Sequence, residues 1–318
     1  MKALMYHYVR PAPEALPHFP YLHIEDFRRQ LDWLGSTYGF VDRAAFLRAL
    51  DGGPVPDGVV LTFDDGLVDH VRHVVPELVA RGLWALFYIS IAPYAERKLL
   101  DVHRIHLLIG QFGGKRVSDL LAEIISKDML VPERVASFRD STYVRQHNDE
   151  CTAYAKRCLN YFIADQHRSS VIDRLMERLV GDTADLVDAY YVSPRDLSTL
   201  AAAGMIVGSH GVTHRLMSTL PEAEQTREIG ESFAALDRLA GPQVCRTFCY
   251  PYGGSHSFTG FTEELLRQSG CRFSFSVEAR DISAADLICR PQALPRYDCN
   301  AFPFGKASIG TQRPGTAL

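Results

Sequence analysis

"VVLTFDDGLVDH", residues 59–70, sets the terms for reading the rest of the chain. Val59 to Phe63 is a β-branched and aromatic run whose only polar member is Thr62. Such a run reads as a strand buried on both faces, as parallel sheets require. It stops at Asp64-Asp65-Gly66, and two adjacent carboxylates repel each other and resist burial. A polar turn ahead of a helix, with one aspartate as its cap, is the bland account. A bound divalent cation accounts for both residues. It would stabilise the ionised form of one aspartate and leave the other free to act as a base.

The same alternation of strand and helix continues on both sides. "KALMYHYV" (2–9), a brief "FV" (40–41) and "LWALFYIS" (83–90) read as strands. They are separated by helical patterns in "HIEDFRRQLDWLGSTYG" (23–39), "DRAAFLRALDGG" (42–53) and "VDHVRHVVPELVARG" (68–82), the last kinked or broken at Pro76. After residue 190, "MIVGS" (205–209), "CRTFCY" (245–250) and "CRFSFSV" (271–277) are strands. "LICRPQALPRYD" (287–298) is a last strand interrupted by prolines. Helices fall between them, one carrying Ser193, Pro194 and Gly204 at N-cap, N1 and stop positions. Strands alternating with helices predict a parallel sheet, and seven or eight such units predict a distorted, TIM-like (β/α)7-8 barrel. Residues 95–190 break the rhythm. "SDLLAEIISKDML", "CTAYAKRCLNYFIAD" and "SSVIDRLMERLVG" are amphipathic helical patterns without a clear strand. The expected organisation is one discontinuous barrel, 1–94 with 191–310, and a helical insertion at 95–190. The insertion would leave on the rim that carries the site and cover the cleft or form a subunit contact. The tail "TQRPGTAL" is expected to fray.

Composition narrows the partners. The chain has 318 residues, 47% of them hydrophobic and 23% charged, with a formal net charge of −4. That is globular composition, and it gives no reason to expect nucleic acid or an anionic membrane. The longest apolar run is far short of the ~20 residues a spanning helix needs. The N-terminal stretch is too short and polar for an export signal. Seven cysteines without a CxxC pattern suit free thiols in a reducing compartment. Together these predict a cytoplasmic protein. Cys245 and Cys249, flanking "RTF", read as small side chains packed in a core.

In a parallel barrel, functional groups collect at the C-terminal ends of the strands. His7 ends the first strand, Asp64 and Asp65 the third, and His210 and His214 of "GSHGVTH" follow "MIVGS". Tyr252 of "CYPYGG" follows "RTFCY", and Arg296 lies near the end of the last strand. The four-residue spacing of His210 and His214 suits two ligands on one helical turn. Imidazoles with a carboxylate and an open position form a common catalytic zinc set. His70/His73 and His103/His106 have similar spacings but read as surface helix residues. The aromatic- and proline-rich loop with His18 and His23 could border the cleft.

"TFDDG" with "SHGVTH" and "CYPYG" resembles the polysaccharide deacetylases, the NodB-type group of carbohydrate esterases. The resemblance spans the strands on both sides of the insertion. It implies a distorted (β/α) barrel and hydrolysis of a sugar acetamide. It also implies Asp64 as catalytic base, Asp65, His210 and His214 as ligands of zinc or a similar divalent metal (Co, Ni, Fe, Mn), and the Tyr252 N–H in an oxyanion hole. His7 and Tyr252 would meet the substrate. Three positions depart from the family pattern. Gly211 stands where Ser or Thr follows the first histidine. Cys249 stands where an arginine would tether the base, a task open to Arg290 or Arg296. Arg296 stands where a late histidine would act as the acid, and arginine stays protonated. His7 and His256 are candidate replacement acids. The implied substrate is a nucleotide- or lipid-linked acetamido sugar of bacterial surface-glycan synthesis, such as O-antigen or capsule. Competing expectations are a sugar O-acetyl esterase, a cyclic-amide hydrolase, or a catalytically impaired binding homologue.

Overall fold

The computed structural model describes residues 1–140, 142–143, 148–181, 185–243 and 245–310; the expected fraying of 311–318 lies outside them. The chain forms two compact units. One comprises Met1–Pro11, Tyr21–Arg97 and Val187–Ala307; the other comprises Ala12–Pro20, Lys98–Leu186 and the residues from Ser308.

The first unit is built on strands β1 (Lys2–Tyr6), β4 (Val59–Phe63), β5 (Ala85–Ile89), β6 (Ile206–Ser209), β7 (Thr247–Cys249), β8 (Phe273–Phe275) and β9 (Tyr297–Asp298). A short parallel pair, β2 (Val9–Arg10) with β3 (Pro20–His23), lies beside them, with Val9 opposite Leu22. The seven strands pair in the order β8-β7-β6-β5-β4-β1-β9, every pair parallel. One segment touches both edges of this curled sheet. Leu294 bridges Phe275 of β8, and Tyr297 pairs with Leu4 of β1. The distorted (β/α) barrel expected from the sequence is therefore the fold.

Alternation along the strands divides the core into two layers, because successive side chains leave a strand on opposite faces. Leu4, Tyr6, Leu61, Phe63, Phe87, Ile89 and Val207 pack outward on helical residues such as Phe27, Leu31, Leu78, Leu197 and Leu236. Ala3, Val60, Leu86, Tyr88, Ile206, Cys249, Phe273, Phe275 and Leu294 fill the interior. Both faces are apolar, which is why the strands read as unbroken hydrophobic runs. The interior is tight at Gly208, where an added Cβ would meet the Tyr88 ring at 2.6 Å and Thr247 Cγ2 at 2.7 Å.

Several local expectations need correction. "FV" is a single bridge from Phe40 to Val59. "LICRPQALPRYD" is not one strand: it runs from a helix (Ala284–Cys289) through a 3-10 turn (Pro291–Ala293) to the two-residue β9. Its prolines fix φ and remove ladder donors, so pairing waits until they are passed. The pattern after Asp-Asp-Gly opens as a π-helical turn, His70–Val74, in which the Val75 N–H bonds the His70 carbonyl. Pro76 explains the widened turn, since it offers no N–H to the carbonyl four residues back. The extra residue turns His70 inward. It is fully buried, as is His103 on the Asp101–Ile124 helix, so neither is a surface residue.

The second unit is helical: Asp101–Ile124, Pro132–Phe138, Glu150–Arg157 and Asp165–Leu179 are its longer helices. The first of these breaks at Gly113, whose φ is 76°. At Gly114 a side chain would run into Thr152, so the helix carrying Thr152 approaches closely. The buried Arg104 and Arg168 meet on the half-buried Asp101 and tie Asp101–Ile124 to Asp165–Leu179.

Candidate active site

The two aspartates diverge because the backbone changes hand between them. Asp64 continues the β4 ladder, donating its N–H to the Tyr6 carbonyl at 3.0 Å. Asp65 has φ 76°, a left-handed conformation that aspartate tolerates better than most residues. Their carboxylates therefore reach different partners, and both are 2% exposed.

Asp64 is gripped from inside the barrel. Arg296 enters from the segment that joins the two sheet edges and is completely buried. Its two terminal nitrogens donate to Asp64 Oδ1 and Oδ2, both at 2.8 Å, in the bidentate geometry that suits a guanidinium. The same nitrogens reach Thr62 Oγ1 at 2.9 Å and Cys249 Sγ at 2.8 Å. Burial alone would raise the pKa of Asp64. The charge and hydrogen bonds of Arg296 outweigh it and hold Asp64 at about 2. Burial pushes the Cys249 thiol up, so it stays protonated and points at Asp64 Oδ2 from 3.5 Å. Cys249 is thus core packing, as the sequence suggests, and also part of the wall around the carboxylate. Arg290 is elsewhere, paired with Glu263 at 2.7 Å.

Asp65 faces the histidines. Its Oδ1 lies 3.4 Å from His210 Nε2 and 3.3 Å from His214 Nε2. His210 Nδ1 donates to the Cys249 carbonyl at 2.7 Å, which fixes the tautomer and leaves Nε2 directed at Asp65. The two histidines do not share a helical turn. They converge through a loop that curls at Gly211 (φ 79°) and His214 (φ 56°). Asp65, His214 and Tyr252 (φ 65°) are thus three non-glycine residues of this rim in left-handed backbone, which such residues rarely hold. The Tyr252 ring lies edge-on to His214, with centroids 5.2 Å apart. His7, partly exposed, places Nε2 4.0 Å from Asp65 Oδ2.

One carboxylate oxygen and two imidazole nitrogens, all within 4.8 Å of one another, fit a divalent cation. The His210–carbonyl hydrogen bond is the outer support such a ligand needs. Asp65, His210 and His214 would hold the ion.

Some groups serve other ends. His23 caps the Ile24–Thr37 helix, its Nδ1 accepting from the Glu25 N–H at 3.1 Å. The His256 carbonyl accepts from the hydroxyl of Ser218, in the 3-10 turn Met217–Thr219. His70, which the sequence reading placed on the surface, lies behind the rim. Its Nε2 donates to the His7 carbonyl at 3.0 Å, and burial lowers its pKa to about 4, so it is neutral. Its one sequence signal was the proline six residues on.

The fold and this arrangement define a parallel barrel whose rim gathers one carboxylate and two imidazoles. A family model for polysaccharide deacetylase matches residues 163–273, a span that holds His210, His214 and Tyr252 but stops short of Asp64 and Asp65. Solved structures match over nearly the whole chain. The Streptococcus pyogenes deacetylase PplD in complex with acetate is 15% identical, with 94% of this chain and 91% of that one covered at a TM-score of 0.56. IcaB from Ammonifex degensii is 19% identical, with 93% and 90% covered at 0.51. A de-N-acetylase from Aggregatibacter actinomycetemcomitans is 16% identical, with 93% of each covered at 0.50. No curated protein matches. The chain thus resembles the polysaccharide deacetylases over residues 163–273 and shares a barrel fold with these solved structures.

Proposed function

We propose that the chain is a metal-dependent N-deacetylase of an acetamido sugar, with Asp64 as base, Asp65, His210 and His214 as metal ligands and zinc the best-suited ion. Cobalt, nickel, iron or manganese would suit the same donors. The observation that carries the proposal is the segregation of the two aspartates. One carboxylate is locked to a buried arginine, and its neighbour is aimed at two imidazoles.

The bound cation would supply Lewis acidity, polarising the acetyl carbonyl and lowering the pKa of water toward about 7. Asp64 is ionised throughout the neutral range and holds its orientation through Arg296. Oδ2 receives the Cys249 thiol besides the guanidinium, but Oδ1 keeps a lone pair beyond the one engaged by Arg296, so Asp64 can still accept a proton. The Tyr252 N–H is assigned to the developing oxyanion. Arg296 cannot serve as the acid, because Asp64 raises its pKa further. His7 takes that role: it is partly exposed, stands beside Asp65, and its backbone is held by His70.

The substrate is assigned to bacterial surface-glycan synthesis as a nucleotide- or lipid-linked sugar, and the location to the cytoplasm. Seven free cysteines support a reducing compartment. Among the described residues no helix is long and apolar enough to cross a membrane. We assign residues 95–190 to substrate choice or a subunit contact. A second reading, a sugar O-acetyl esterase, is favoured by one observation. The position matching the family's acid histidine is an arginine occupied with Asp64, and an ester needs less help from an acid.

Acetate release from matched N-acetyl and O-acetyl sugars, with and without added metal, tests the proposal. Metal-dependent release from the amide supports it. Release from the ester alone selects the second reading, and no release from either leaves a binding homologue.

A further inference from the structure

The loop between the two histidines is held by a side chain that lies outside the motif. Glu228 projects from the middle of the helix Glu222–Ala240 and is 6% exposed. Its Oε2 accepts from the Val212 N–H at 2.8 Å and from the Thr213 N–H at 3.0 Å. Its Oε1 accepts from the Thr213 hydroxyl. Two successive backbone N–H groups converging on one oxygen form a concavity that selects an anion. One turn along, Ser232 bonds Ser209 Oγ at 2.7 Å, and Ser209 Oγ accepts from the Gly211 N–H at 3.1 Å. Residues 228 and 232 share a helix face, so this single face satisfies the donors of 212 and 213 and braces the Ser209 hydroxyl that accepts from 211. Those residues separate His210 from His214, and the chain there takes left-handed turns at Gly211 and His214. A Cβ on Gly211 would lie 3.2 Å from Glu228 Oε2, so the fit leaves no spare room.

We propose that Glu228 is a positioning residue for the metal centre: its carboxylate fixes the 211–213 loop and so sets the distance between the His210 and His214 nitrogens. The inference rests on the metal-ligand reading of these histidines. Glu228 touches neither ligand ring nor substrate. Its effect travels through the backbone, as with other outer supports whose loss weakens metal binding about 10–100-fold.

The test uses Glu228→Gln in the full chain, because the amide keeps the volume but cannot accept all three bonds. Ile229→Val, a buried change on the same helix, serves as a benchmark for a purely structural defect. Zinc and cobalt affinities are measured by chelator competition, alongside thermal midpoints of the metal-free proteins. We expect E228Q to bind metal about 10–100-fold more weakly, with kcat partly restored in excess metal. I229V should lower the midpoint with affinity unchanged. Metal-free E228Q should also lose hydrogen-exchange protection at Val212 and Thr213. Equal affinity in wild type and E228Q overturns the positioning role, as does an affinity loss that merely tracks the midpoint across both variants. If wild type binds neither metal, the metal-ligand reading itself falls, and the role of Glu228 falls with it.

Discussion

Replacing Arg296 by methionine should expose what the guanidinium does for Asp64. The side chain is entirely buried and donates to both Asp64 oxygens at 2.8 Å. Removing one member of a buried pair leaves an uncompensated charge, typically at a cost of about 3–5 kcal/mol. Thr62 and Cys249 also lose a contact, but they are neutral and count for less. The pH dependence should change in a definite direction. Asp64 sits at about 2 against an ordinary 3.8, so its stabilising contribution is complete above pH 3.8 and fades as pH falls through 2. The difference corresponds to roughly 2 kcal/mol. Without Arg296, burial dominates and the pKa should move above 3.8. Asp64 should then cost the fold stability as pH rises through its raised value, the reverse of wild type, and the acid limb of the variant's rate should lie at a higher pH than in wild type. Arg296→Lys separates charge from geometry, because an ammonium cannot form the two-pronged contact. R296K should keep the carboxylate ionised, leave the acid limb where it was and lower kcat. Denaturant unfolding as a function of pH, with kcat profiles for the three proteins, provides the measurement. An R296M variant as stable as wild type, with the same acid limb, would refute the reasoning.

Four other outcomes follow from the same geometry. Asp65→Asn should lose metal and activity and regain part of both in excess metal. Asp64→Asn should keep its metal and lose about 10²–10⁴ in rate, and metal analysis after desalting beside acetate release distinguishes them. Gly208→Ala would place a methyl group within 2.8 Å of Tyr88 and Thr247 in the barrel interior, so we expect a loss of about 1–3 kcal/mol in denaturant unfolding. His70→Phe keeps a ring against the stacked pair Phe63 and Phe87 but leaves the His7 carbonyl without its donor; it should cost about 1–3 kcal/mol and lower kcat more than metal affinity.

The barrel was legible because both faces of its strands are apolar, and the rim was legible because polar residues follow each run at once. What stayed hidden depends on contacts far apart in sequence. "TREIGES" looks like an ordinary exposed helix segment, yet Glu228 is buried against a loop sixteen residues earlier. His70 was misplaced because a kink or break at Pro76 does not specify the π turn ahead of it, which shifts the phase by one residue. The final segment was hard to read because Pro291 and Pro295 interrupt it. Its function in the fold, bridging β8 and β1, is a matter of topology and leaves no periodic trace.

Adjacent aspartates at the end of a buried strand pose an electrostatic problem that this chain meets twice. Asp64 keeps the extended backbone of β4 and turns into the barrel, where a permanent cation, Arg296, neutralises it. Asp65 takes the left-handed conformation and turns toward groups whose charge depends on what they bind. The first arrangement makes Asp64 a weak base, several units below neutral pH, so it cannot by itself deprotonate water efficiently. Deacetylation would therefore require the second arrangement to acidify the water, which is the contribution a cation on Asp65, His210 and His214 would make. In that account the arginine gives Asp64 orientation at the expense of basicity, and the neighbouring centre compensates. The two carboxylates can be adjacent in sequence because their chemistry is complementary and their electrostatic environments are separate.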